Sequence, residues 1–303
     1  MEYNSTKRQI FLCLRFCLFI AACQGISVNV CATVVKIKFI TLNLRYDNKW
    51  DGDNKWDSRK QRVLNFIEEE DADIICFQEV LNHQLVDINA AQISYSYVGA
   101  GREDGKTKGE YAPIFYKKAK YNKVKDGIFW LSEHPDSIGS IGWDAGQPRI
   151  ATWAILRDKK KDQKFMVINT HFDDIGIKAR QESSELIKKW IMENADNLPV
   201  ILSGDLNVTE ESMSYQILTD NMSPLVDTYK VCKKQKGVNY SFHNFGRILK
   251  PQRKKIDYIF VSKGITVRSV GIPVEESVND IYLSDHNPLI AYIQLKKNSK
   301  KSF

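Results

Sequence analysis

Residues 198–208 read Leu-Pro-Val-Ile-Leu-Ser-Gly-Asp-Leu-Asn-Val (LPVILSGDLNV). A short apolar run opened by proline and closed by Gly204 is the pattern of a buried strand. The residues just after the glycine matter more than the strand itself. Asp205 and Asn207 stand where a packed strand runs out into a loop, and a carboxylate there costs free energy unless something pairs with it. The arrangement recurs in both directions along the chain. Residues 164–171 (KFMVINTH) end on Thr170-His171, residues 73–80 (DIICFQEV) on Gln78-Glu79, and residues 36–43 (KIKFITLN) on Asn43. Toward the C-terminus, residues 255–261 (KIDYIFV) carry Asp257 near their start, and Ser284-Asp285-His286-Asn287 precede the last apolar run.

Strands are expected at 35–42, 73–77, 95–100, 112–116, 121–131, 150–157, 164–169, 199–203, 256–261, 266–270 and 288–294. Helices are fewer. A capping-box pattern, Ser58 to Gln61, opens a helix over 59–70. Leu186, Ile187, Trp190 and Ile191 give an apolar stripe over 177–193. Thr209 is placed to cap a short helix with Glu210 and Glu211 in its first turn. Many strands, few helices and no low-complexity linker point to two packed mixed sheets flanked by helices, as one α/β domain over residues 33–298. A short basic tail, 299–303, comes after it.

Four carboxylates, two histidines and two asparagines at strand ends cannot all satisfy one another. A bound cation would satisfy the acids, and oxygen ligands at this density suit a hard ion, Mg²⁺ first, with Mn²⁺ or Ca²⁺ as alternatives. Each residue alone has an ordinary structural explanation: Asn43 and Gly204–Asn207 as turn residues, Glu79 as a helix-capping acid, Asp285-His286 as a loop pair. Six such placements in one chain are not explained that way. Lys and Arg total 44 against 37 Asp and Glu, a net charge of +7. That balance is compatible with an anionic substrate. Cys76 and Cys232 are the two cysteines outside the first 32 residues. This excludes a disulfide framework and a cysteine-based zinc site, and leaves one disulfide between them open.

The strings TLNLRYDN, ICFQEV, GEYAPIFY, VINTHFD, LSGDLNV, KIDYIFV and LSDHNPL resemble the motifs of the endonuclease/exonuclease/phosphatase superfamily, across residues 41–289. The superfamily includes deoxyribonucleases, nocturnin-like deadenylases, inositol polyphosphate 5-phosphatases and sphingomyelinases. The loops resemble its exported bacterial branch. The resemblance implies a four-layer α/β sandwich and metal-dependent hydrolysis of a phosphoester by water. It makes Glu79 the principal metal carboxylate, with Asn43 and Asp285 beside it. It implies that His286, oriented by Asp257, contacts the phosphate or acts as base. Asp205 and Asn207 would position or deprotonate the water. His171, oriented by Glu110, would stabilise the phosphate or protonate the leaving oxygen. Arg45 stands where some abasic-site endonucleases carry aspartate, which weakens a two-metal reading.

Arg45, Arg149, His243 and Trp143 are the expected substrate contacts, and Trp50, Trp56 and Phe242 are further candidates to stack a base or sugar; loop packing explains those aromatics equally well. The expected activity is that of a nuclease or 3′–5′ exonuclease. A phosphatase or phosphodiesterase acting on a small or lipid phosphoester is the alternative, and a non-catalytic binding module is the alternative from another class. Residues 1–32 read as an export leader. Lys7 and Arg8 precede the apolar run 10–23, and Arg15 within it argues against a permanent membrane span. Ile20–Cys23 resembles a lipobox that would leave a lipid anchor on Cys23. Val30-Cys31-Ala32 resembles a signal-peptidase site that would release a soluble monomer, periplasmic or secreted, and is preferred.

Overall fold

Alternation along the first strand sets the layers. In β1 (Val34–Asn43) the side chains of Val35, Ile37 and Phe39 enter one apolar cluster, and those of Ile40 and Leu42 another. The first cluster lies between two sheets and the second between a sheet and its helices. The structure, a computed structural model, describes residues 34–274 and 277–296. The leader and the basic tail lie outside those residues.

Seven strands form the first sheet in the order β10-β12-β13-β1-β2-β4-β3. They are β2 (Ile74–Gln78), β3 (Tyr95–Val98), β4 (Ile114–Lys117), β10 (Gln235–Gly237), β12 (Thr266–Ile272) and β13 (Leu289–Lys296), with β1. Six form the second, in the order β5-β6-β7-β8-β11-β9: β5 (Tyr121–Trp130), β6 (Ile150–Asp158), β7 (Lys164–His171), β8 (Val200–Asp205), β9 (Leu225–Asp227) and β11 (Asp257–Ser262). The inner faces meet through Phe39, Ile74, Ala291 and Ile293 from one sheet and Phe165, Val167, Ile201 and Ile259 from the other, all essentially inaccessible to solvent. Each such Ile or Phe contributes roughly 1.5–3 kcal/mol by leaving water.

Helices α1 (Trp56–Glu70) and α2 (Asn82–Ala91) cover the first sheet through Trp56, Val63, Phe66, Leu85 and Ile88. Helices α3 (Ile177–Asn194) and α4 (Met213–Thr219) cover the second through Ile187, Ile191, Tyr215 and Leu218. A single turn, α5 (Thr228–Val231), precedes β10. The four-layer sandwich expected from the motifs is what the chain forms. Among the described residues no helix is long and apolar enough to cross a membrane.

Local differences from the sequence reading have identifiable causes. Helix α1 begins at Trp56 rather than Arg59, because the Asp47 carboxylate accepts from Trp56 N at 3.2 Å and caps the helix from outside. Ser58 therefore lies within the helix. Ser212, not Thr209, caps α4, its Oγ accepting from Tyr215 N at 3.2 Å. The unforeseen α2 buries only Gln84, Leu85 and Ile88, too few for a legible stripe, and β9 and β10 have three residues each. Cys76 is buried on the inner face of β2, Cys232 is partly exposed, and both are free thiols.

Gly204 is required where it stands. It pairs with Thr170 across the parallel β7–β8 ladder, and a Cβ on it would sit 1.9 Å from the Thr170 carbonyl oxygen. Because both partners are backbone, neither can yield cheaply. Gly204→Ala is expected to cost at least about 3 kcal/mol of stability, read as a fall in melting temperature. A variant that melts within a degree of the parent would contradict this register.

Candidate active site

The inner face of each strand continues past its apolar residues into polar ones, and these meet at one mouth between the sheets. On the second sheet His171 is in register with Asp205 across β7–β8, and Asp205 with Asp257 across β8–β11. On the first, Asn43 pairs with Gln78, and Glu79 comes immediately after. Period-two alternation thus delivers five separated segments to one end of the sandwich.

One amide joins the two halves. Asn43 Nδ2 donates to Glu79 Oε1 and to Asp205 Oδ2, both at 2.9 Å. Glu79 Oε2 accepts from Tyr46 N at 3.2 Å. Beneath them runs a polar seam between the sheets: Gln78 Nε2 donates to Thr41 Oγ1 at 3.0 Å and to Asn169 Oδ1 at 2.6 Å, and Asn169 Nδ2 donates to the Phe77 carbonyl at 2.7 Å. Arg45, Glu79 and Asn207 all hold left-handed backbone, with φ of 61°, 59° and 52°. Non-glycine residues adopt that conformation at a cost and cluster at functional sites.

His286 Nδ1 lies 2.7 Å from Asp257 Oδ2, and its Nε2 3.7 Å from Asp205 Oδ2. Burial alone would push the imidazole toward neutrality. The Asp257 carboxylate, with Asp205 and Asp285, outweighs it and holds the pKa up at about 10, so the ring is a buried cation. The Asp205 carboxyl is raised to about 7 by burial and by repulsion from Asp257. His171 goes the opposite way. Its Nδ1 is 3.3 Å from Arg149 Nη1, its Nε2 3.1 Å from Asn207 Nδ2, and burial with the Arg149 charge lowers it to about 3. One histidine is therefore charged and the other neutral near pH 7.

Two groups of acids could hold a cation. Asp205, Asp257 and His286 place three ligand atoms within 4.8 Å of one another. An imidazolium already sits between those two carboxylates, so one of their two charges is compensated from within. Glu79 and Asp285 are less well served. Arg45 approaches them only to 3.8 and 3.9 Å, while its fork is spent on Asp51 at 2.9 and 3.0 Å. Asp285 is raised by burial and by the Glu79 charge, which is the signature of under-compensated acids. With the Asn43 amide beside them, they form an oxygen-rich set that fits a hard divalent ion.

The remaining expected residues lie around this centre. Glu110 accepts from Arg102 Nη1 at 2.8 Å and stands 3.7 Å from His171 Nδ1. Arg149 is buried and gripped by Asp173 at 3.1 Å and Asp174 at 2.7 Å; with Arg102 and His171 it walls a water-sized recess. The His243 ring is turned into a packed loop, where Nδ1 accepts from Gly246 N at 3.1 Å, while its backbone N–H holds the Asp285 carbonyl at 3.0 Å. Its place is therefore beneath the site rather than open to a phosphate. Trp143 is half-buried on the loop before β6. Trp56 belongs to the core, Phe242 packs on His286 with centroids 4.9 Å apart, and Trp50 is 78% exposed. Arg102, Asp51, Asp173 and the Gln78–Asn169 seam were not foreseen. Arg102 and Asp51 lie outside the recognisable strings; Asp173, Gln78 and Asn169 lie within them, but Arg149 and the facing sheet, with which they pair, are distant in sequence.

A profile of the endonuclease/exonuclease/phosphatase family matches residues 40–286. Among solved structures, the endonuclease/exonuclease/phosphatase from Bacteroides vulgatus is 45% identical, with a TM-score of 0.84 over 86% of this chain and 100% of that one. The mannosyl-6-phosphatase of Bacteroides thetaiotaomicron is 36% identical, with a TM-score of 0.78 over 85% of this chain and 99% of that one. In sequence, the probable CCR4-Not complex 3′-5′-exoribonuclease subunit Ccr4 of Vairimorpha ceranae is 24% identical over 80% of this chain, which spans 59% of that relative's length.

Proposed function

Since the chain belongs to the endonuclease/exonuclease/phosphatase family, whose enzymes are phosphoester hydrolases that use divalent metals, we propose that it cleaves a phosphoester by direct attack of water on phosphorus. The observation that carries this is the single Asn43 amide shared by Glu79 and Asp205 at 2.9 Å each, with the His286–Asp257 pair alongside. Glu79, Asp285 and Asn43 would hold the cation, which when bound supplies charge to the phosphoryl oxygens.

The protein's own groups do the rest. Asp205, with a carboxyl near 7, accepts a proton from water, and a base poised there works well at neutral pH. Asn207, whose N–H donates to Asp205 Oδ1 at 2.9 Å, keeps that carboxylate aimed. His286, charged and backed by Asp257, faces the developing negative charge on phosphorus. His171 stays neutral beside Arg149, which suits hydrogen bonding to a phosphoryl oxygen better than protonation of the leaving group.

For the substrate, the narrower reading is a small phosphorylated sugar. The 36%-identical mannosyl-6-phosphatase supports it, matching along nearly its whole length. A 3′–5′ exonuclease is the second reading, supported by the Ccr4 match and by Trp50 exposed as a stacking surface. Purified protein with Mg²⁺ is expected to release phosphate from hexose 6-phosphates and to lose that activity in chelator. Nucleotide release from a single-stranded RNA, with sugar phosphates untouched, would move the assignment to the second reading. Turnover that survives chelation on every ester would refute both.

A further inference from the structure

The outer face of the first sheet is covered at only one end. Near the mouth, Ile40 and Leu42 of β1 lie beneath α1 and α2. Toward the other end the same face presents Lys36 and Lys38, the latter reaching the last residue of α1, Glu70. Register brings more charge to the spot: Lys36 pairs with Gln294, Lys38 with Tyr292, and Tyr292 with Ser269 beside Arg268. Lys236 arrives on β10 opposite Gly271. Together with Lys120 these residues line an open cleft of about 490 Å³.

Its charge is not balanced. Lys38 is paired with Glu70 at 2.7 Å and Lys120 with Asp73 at 2.7 Å. Among the described residues Arg268 meets a neutral acceptor, Gln294 Oε1, at 2.7 Å. Lys36 and Lys236 are exposed. Among the described residues the cleft therefore keeps a surplus of three cations, with the half-exposed ring of Tyr292 beside them. None of these residues belongs to the active site. Lys36 and Asn43 are seven steps apart along β1, so the two places stand roughly 23 Å apart.

We propose that this end of the domain docks on an anionic lipid surface. Besides charge, the course of the chain argues for it. Val34 pairs with Lys296, so the polypeptide enters β1 and leaves β13 at the cleft's own end. The residues after Lys296 include Lys297, Lys300 and Lys301. Basic side chains beside an interfacial tyrosine are the composition that anionic headgroups attract. Docked this way, the protein holds its catalytic mouth away from the lipid. The inference is independent of which ester is hydrolysed.

The full chain should be sedimented with phosphatidylcholine vesicles with and without phosphatidylglycerol, over a range of salt. The basic leader and tail are the same in wild type and variants, so the difference between the proteins reads the cleft. The wild type should prefer the anionic vesicles, less so as salt rises. The triple variant K36Q/K236Q/R268Q should lose on the order of 100-fold of that preference, and K36E/K236E/R268E should lose more. Melting temperature certifies folding without recourse to activity. Equal preference in wild type and neutral variant would overturn the proposal. So would loss of single-stranded oligonucleotide binding in the variant while vesicle binding stays unchanged, since that would make the cleft a nucleic-acid groove.

Discussion

Glu79→Gln is expected to lower kcat/KM for the hydrolysed ester by about 10³-fold or more, since placing charge on the phosphoryl oxygens is worth several kcal/mol. The substitution keeps the side chain's volume. Glutamine's one oxygen can accept from the Tyr46 N–H or from Asn43 Nδ2, but not from both. What it removes is one of the two acids that Arg45 fails to neutralise. The loss should be partly reversed by raising the metal concentration, because Asp285 and Asn43 remain. The check is a titration of rate against Mg²⁺ for both proteins, with melting curves recorded alongside. Full activity at the wild-type metal midpoint would remove Glu79 from the site.

The second large effect is expected at His286. His286→Asn should cost about 10²–10⁴-fold in rate, and added metal should not restore it. The ring is the positive group between Asp205 and Asp257, so its loss leaves two buried carboxylates in adjacent register positions. Asp257→Asn provides the complementary measurement. It leaves the ring in place but removes the charge that holds it near 10, and burial then draws its pKa down. Loss of activity with rising pH should therefore set in earlier in Asp257→Asn than in the wild type. A pH–rate profile identical to the parent's would show that the ring's charge plays no part in turnover.

Much of this site is legible in the sequence because its residues sit at fixed offsets from strongly patterned strands. The strand carrying LPVILSGDLNV has to end near Asp205, and alternation then fixes which side chains face inward. His171 and Asp257 obey the same logic. What pairs with what is not legible. Arg45 reads as open to a substrate anion, whereas the structure shows it held by Asp51, six residues on, through a short 3-10 turn without apolar periodicity (Lys49–Asn54). Arg149 reads as a free cation because Asp173 and Asp174 look like ordinary loop acids. His243 looks available because nothing local shows that the 241–244 segment folds under Asp285. Helix α2 escapes for a simpler reason, since ten residues with two buried aliphatics carry little pattern.

The polar seam has a mechanical consequence. Because Gln78 and Asn169 tie one sheet to the other just under the reacting groups, the sandwich has no hinge there. Glu79 and Asp285 belong to one slab, Asp205 and His171 to the other, and their spacing is set before any ester arrives. Such an enzyme works as a fixed jaw. Swapping the seam for apolar residues of equal size would leave a folded protein with looser jaws, slower in chemistry yet no weaker in capture.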